Sequence, residues 1–166
     1  MKKIIFSFLV LTVFAFGFIV CGSAQSSETD LDQVELMKQF IGKWAAEWRK
    51  DSTWLWEITP SNKGYVHTFY LQVKGKTVLT YGGIIGFGDE YRNVNLFILG
   101  PNGFISRDIG GFVSDNEYIA ERFPAEHKKT VLETWECTFI TPDKFKAIRK
   151  VKAVKKGELI YIRVKE

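Results

Sequence analysis

Cysteine is scarce in this chain, with only Cys21 and Cys137 among 166 residues. Cys21 falls in an N-terminal segment that reads as removable, so the mature chain keeps one thiol. One thiol excludes an intramolecular disulfide and a four-thiolate metal centre. Cys137 alternates with Trp135 and Phe139, the setting of a small buried hydrophobe rather than a nucleophile. No nucleophile elbow, paired-histidine motif or acid cluster at metal spacing occurs. The sequence therefore implies no catalytic residue, metal or cofactor. Proline is also rare, at four residues, while hydrophobic residues make up 46% and aromatics 15%, which excludes a disordered polymer. Charge of neither sign dominates, with 23 basic against 19 acidic residues. The basic side chains are spread along strands except near the C-terminus, which makes nucleic acid a poor partner.

Residues 1–24 read as an export signal. Lys2 and Lys3 precede an apolar run from Ile4 to Val20, and Gly22-Ser23-Ala24 supplies the small residues needed for cleavage before Gln25. Removing two lysines and no acid lowers the formal charge from +4 to +2. The expectation is an exported protein, periplasmic or extracellular. Cleavage before a lipidated Cys21 is the alternative and would tether the domain to a membrane, although Val20 is larger than such a site wants. Residues 25–30 read as a linker and 31–166 as one domain.

The domain opens with helical spacing at Leu31, Val34, Met37 and Ile41, joined by Leu36 and Phe40. Asp30 with Gln33 resembles a capping box and Gly42 a C-terminal cap. From Lys43 the period becomes two. Strand patterns follow near 43–49, 54–59, 65–73, 77–87, 93–99, 104–112, 117–123, 131–140, 144–154 and 159–164, with breaker-rich turns at 60–64 and 155–157. Gly82-Gly83 suggests a bulge or bend inside its strand. Every connection is short, so pairing is antiparallel. An all-β, ten-stranded up-and-down barrel with one short N-terminal helix is predicted, since a meander of this length closes or leaves two open edges. The helix either covers one mouth or packs on the wall.

A helix, then Gly42-Lys43-Trp44 opening the first strand, then a meander, resembles the calycins, and more narrowly the small exported bacterial lipocalin-like domains. The resemblance covers residues 31–166. It implies that Trp44 packs at the closed base of the barrel with a late arginine over it, either Arg163 or Arg149. Trp44 taken as inward also fixes strand parity. Trp48, Trp54, Trp56, Tyr65, His67, Phe69, Trp135, Phe145, Arg149, Tyr161 and Arg163 then face inward, and the lysine face of residues 144–152 faces water. The middle strands, 93–123, show no clear parity.

Arg149 lies on the apolar face of its strand, where a charge needs a carboxylate, a ring or a ligand anion. Together with Tyr161 and Arg163 it resembles the cluster with which fatty-acid-binding proteins hold a carboxylate, in reversed last-strand order. The alternative is an Arg149–Glu133 pair with Arg163 stacked on Trp44. Trp48, Trp54, Trp56, Phe69 and Trp135 either line a ligand cavity or fill the interior. His67 is either a satisfied core histidine or a haem ligand, and His127 a solvated loop residue. The function expected is binding of a small hydrophobic, possibly anionic, ligand inside the barrel. The competing expectations are a filled barrel acting through its outer surface, or an enzyme with its site inside, for which Glu133 and His67 would be the acid/base pair.

Overall fold

The computed structural model describes residues 31–88, 92–125 and 130–165. The export signal, Cys21, the 25–30 linker, the Asp89-Glu90 turn and His127 lie outside these residues. A short helix α1 (Gln33–Met37) runs into a 3-10 turn (Lys38–Phe40) and then into ten strands: β1 (Gly42–Arg49), β2 (Ser52–Ser61), β3 (Gly64–Val73), β4 (Lys76–Phe87), β5 (Val94–Leu99), β6 (Ile105–Ser114), β7 (Glu117–Pro124), β8 (Glu133–Thr141), β9 (Lys144–Val151) and β10 (Val154–Arg163). Each strand pairs antiparallel with its chain neighbours, and β1 pairs with β10, closing the barrel. Closure leaves no unpaired edge to template aggregation. The all-β ten-stranded expectation holds.

Four details differ from the sequence reading. The helix begins later, because Asp32 rather than Asp30 is the N-cap, its carboxylate accepting from Glu35 N at 3.0 Å. The second strand runs on through Pro60 to Ser61, and its turn shrinks to Asn62-Lys63. The β9–β10 turn sits at Lys152-Ala153, both with positive φ (49° and 62°), instead of at 155–157. Gly157 marks a register shift within β10 instead. Gly82 and Gly83 are in regular register, and the irregularity between β3 and β4 falls beside Leu71. What Gly83 supplies is room: a Cβ there would lie 1.8 Å from Phe97 O and 2.6 Å from His67 Nε2.

Because the strands alternate in direction, the barrel has two distinct ends. One receives α1 and the even-numbered turns (β2–β3, β4–β5, β6–β7, β8–β9). The other, the open end, carries the odd-numbered turns. The helix end is packed solid. Phe40 is 2% exposed and touches the rings of Trp56, Phe112, Tyr118, Phe139 and Phe145, with centroids 4.8 to 5.9 Å apart. The helix therefore plugs a mouth rather than lying on the wall. Gln33 fastens it: its Nε2 donates to Phe112 O at 3.0 Å and its Oε1 accepts from Phe112 N at 2.6 Å, over the bare Cα of Gly111.

The base also explains Gly42, Trp44 and Arg163. Trp44 is fully buried and donates from Nε1 to Phe40 O at 2.8 Å. The Arg163 guanidinium lies 4.1 Å from the Trp44 ring and donates to the carbonyls of Gln39, Ile41 and Pro142. The carbonyls of Gln39 and Ile41, at the end of a helical turn, are orphans that need donors. Gly42 has φ 115°, and a Cβ there would approach Arg163 Nη1 to 2.8 Å. Two independent constraints thus demand glycine.

Candidate functional site

Inside the barrel, parity follows from the registers. Trp44 opposes Trp56, Trp56 opposes Phe69, and Phe69 opposes Tyr81. Ala46 opposes Trp54, which opposes Leu71. Further round, Ala120 opposes Trp135, which opposes Arg149. Trp54, Trp56, Phe69 and Trp135 therefore face the axis above the plug, as the alternation predicts. They are only half-buried, although no solvent face is available to them on the outer wall. Trp54 and Phe69 stack at 4.8 Å, and Trp56 lies 6.1 Å from Phe69. Trp48 stands at the open rim, 6.0 Å from Trp54, with Arg49 stacked on it at 4.4 Å.

The expected trio Arg149, Tyr161 and Arg163 is not assembled. Arg163 is fixed under the base, and Tyr161 is buried among Phe145, Trp56 and Phe69. Burial raises the Tyr161 phenol well above its ordinary value. Arg149 lies at the other end of the barrel, near the end of β9 and three residues before the β9–β10 turn. The alternative pairing is the observed one: Arg149 Nε bonds Glu133 Oε2, and Arg163 stacks on Trp44. The Arg149 terminal nitrogens have no partner among the described residues and stand at the open end, where the side chain is 46% exposed.

Two charged residues in the middle strands complete the interior. Asp108, Arg122 and Glu133 are cross-strand neighbours on β6, β7 and β8. Arg122 holds Asp108 with two bonds, Nε to Oδ1 at 2.7 Å and Nη2 to Oδ2 at 2.8 Å, and reaches Glu133 Oε1 from Nη1 at 2.6 Å. Trp135 Nε1 adds a bond to Glu133 Oε1 at 2.9 Å. Two carboxylates and two guanidinium groups give a chain of no net charge, and forked contacts of this kind are the strong ones. Burial pushes the Asp108 carboxyl up, more than Arg122 pulls it down. For Glu133 burial also acts upward, but Arg122, then Arg149 and Trp135, outweigh it and hold the group below the usual carboxylate range.

His67 is 3% exposed and its Nε2 faces Phe97 O at 3.4 Å. A carbonyl only accepts, so Nε2 carries the proton. Burial first, and the Arg122 charge second, keep the ring below its ordinary pKa and neutral. Its Nδ1 is then an acceptor, and among the described residues neither it nor the buried Ser106 Oγ has a hydrogen-bond partner. His67 and Glu133 bond to different partners and form no mutual acid/base pair. Burial pushes the Cys137 thiol up to about 12, in keeping with a small hydrophobe. Among the described residues no group of three or more His, Cys, Asp or Glu could hold a metal ion.

Asp108, Arg122 and Ser106 escaped the sequence reading because strands 93–123 gave no parity. One signal was available: Glu117, Ile119 and Glu121 put two acids on one face of β7, which leaves Tyr118, Ala120 and Arg122 for the interior. No protein-family model matches this chain, and no curated protein matches it.

Proposed function

We propose that the chain is an exported calycin-type binding protein that takes a small, largely apolar molecule into the open half of its barrel. The carrying observation is the contrast between the two halves. Phe40 fills the helix end, while Trp54, Trp56, Phe69 and Trp135 face the axis yet stay partly accessible. Aromatic walls with a few polar points are the usual make-up of small-molecule sites. The polar point here is the free end of Arg149 at the rim. Arg149 alone of the expected trio is placed to meet an anionic group, with its charge already half engaged by Glu133.

Titrating the mature protein with dodecanol and with dodecanoate, read by tryptophan fluorescence, tests this. Saturable one-site changes are expected, and Phe69→Arg, which puts a charge into the aromatic half, removes both. Arg149→Gln weakens dodecanoate by roughly tenfold, the worth of one charge-assisted bond, and leaves dodecanol unchanged. Absence of any saturable change would refute the binding reading. It would favour a surface module, for which the exposed outer row Val66–Ile84–Phe97, contiguous across β3, β4 and β5, is the supporting observation.

A further inference from the structure

The two ends of the barrel differ in their outer chemistry as well as in their filling. Among the described residues, the exposed basic side chains around the open end include Lys50, Lys74, Lys76, Lys152, Lys155 and Lys156, from the β1–β2, β3–β4 and β9–β10 turns, with Arg49 and Arg149 beside them. Asp51 and Glu47 are exposed acids at this end, and Glu158 is tied to Lys155. Exposed apolar side chains share this end: Trp48 at 45% and Val154 at 56% lie at the lysine-bearing turns, and Phe104 at 50%, Leu99 at 56%, Val131 and Leu132 at the β5–β6 and β7–β8 turns beside them. They come from four of the five turns at this end. The helix end is unlike this, mixing Asp32, Glu35, Asp115, Glu117 and Asp143 among its lysines.

A ring of separate apolar tips presents several shallow insertion points rather than one groove to seat a peptide. The lysines on the neighbouring turns complement a negatively charged plane, and their aliphatic stems extend the apolar contact. Tryptophan at such a rim suits the boundary between headgroups and acyl chains. Among the described residues no helix is long and apolar enough to cross a membrane, so this contact is a surface one. We propose that the open rim docks on an anionic phospholipid surface, with the barrel axis upright and its opening against the lipid. The docking rests on the rim residues alone and stands whether or not the barrel holds a ligand.

Sedimentation of the mature protein with vesicles tests it. Binding is expected to phosphatidylglycerol–phosphatidylcholine vesicles at low salt, at least tenfold weaker to pure phosphatidylcholine, and lost in high salt as the charges are screened. The triple variant Lys74→Glu, Lys76→Glu, Lys152→Glu lowers affinity for the anionic vesicles by tenfold or more. The matched variant Lys63→Glu, Lys144→Glu, Lys165→Glu, at the helix end, changes net charge equally and leaves binding within about twofold. Phe104→Ser with Leu132→Ser, both exposed rim residues, weakens binding while far-UV circular dichroism stays that of the parent protein. Equal loss from the two triple variants would overturn the proposal by showing only a net-charge effect. So would absence of binding to the anionic vesicles, or retention on heparin without vesicle binding, which would assign the face to a polyanion.

Discussion

Replacing Arg122 by methionine removes the cation shared by two buried carboxylates. Asp108 is 3% and Glu133 7% exposed, and Arg122 supplies three bonds to them, at 2.6, 2.7 and 2.8 Å. Breaking a buried ion pair from one side costs about 3–5 kcal/mol, because the remaining charge is left uncompensated. Glu133 keeps Arg149 and Trp135, but Asp108 keeps no partner in the network, so the cost should lie in that range at neutral pH. The pH dependence gives a second handle. Asp108 already has a raised pKa, so its contribution is most favourable at low pH and is lost as pH rises through its folded value. Glu133 has a lowered pKa, so its contribution is present above its unfolded value and is lost as pH falls. Without Arg122 both pKa values move up, so the contribution of each group to the folded state becomes less favourable as pH rises. The deficit of Arg122→Met should therefore be large at pH 7 and shrink toward pH 4. Urea denaturation followed by tryptophan fluorescence at the two pH values measures it. Adding Asp108→Asn and Glu133→Gln should recover part of the loss at pH 7. A deficit below about 1 kcal/mol, or one independent of pH, would refute the claim that this network is a buried, mutually compensating set.

Phe40→Ala empties the plug and should cost about 3–5 kcal/mol by chemical denaturation, as large-to-small changes at fully packed aromatic sites do. Gly83→Ala drives a Cβ onto Phe97 O and should lower the melting temperature. His67→Ala should not rescue it, because the first clash is with backbone. Cys137, with its thiol pushed up to about 12, should resist disulfide reagents in the native protein at pH 8 and react only at the rate of unfolding.

The parts legible in the sequence were those where alternation and a neighbouring breaker agreed. β1 to β3 announce themselves through Trp44, Trp48, Trp54, Trp56 and Phe69 at even spacing, and Gly42 through its place between helix and strand. The lysine face of β9 fixed Phe145, Ala147 and Arg149 inward, which is why Arg149 could be marked as needing a partner before Glu133 was seen beside it. The Asp108–Arg122 pair was invisible because each residue alone looks like an ordinary solvated charge, and only the cross-strand register places them together. Gln33, which resembles the far partner of a capping box in the sequence, bonds Phe112 instead for a related reason. A glutamine on a helix face normally faces water, and its burial depends on the bare Cα of Gly111, nearly eighty residues away. The β9–β10 turn misled because Lys152 and Ala153 adopt positive φ without glycine, while Gly157 serves a register shift.

The open half of the barrel is proposed to hold a small, largely apolar molecule. Native mass spectrometry of the mature protein, purified under mild conditions and compared with its denatured mass, tests this most directly. An additional mass that denaturation removes, and that Phe69→Arg protein lacks, is the predicted result. A native mass equal to the polypeptide alone, even after incubation with dodecanol and dodecanoate, would contradict it.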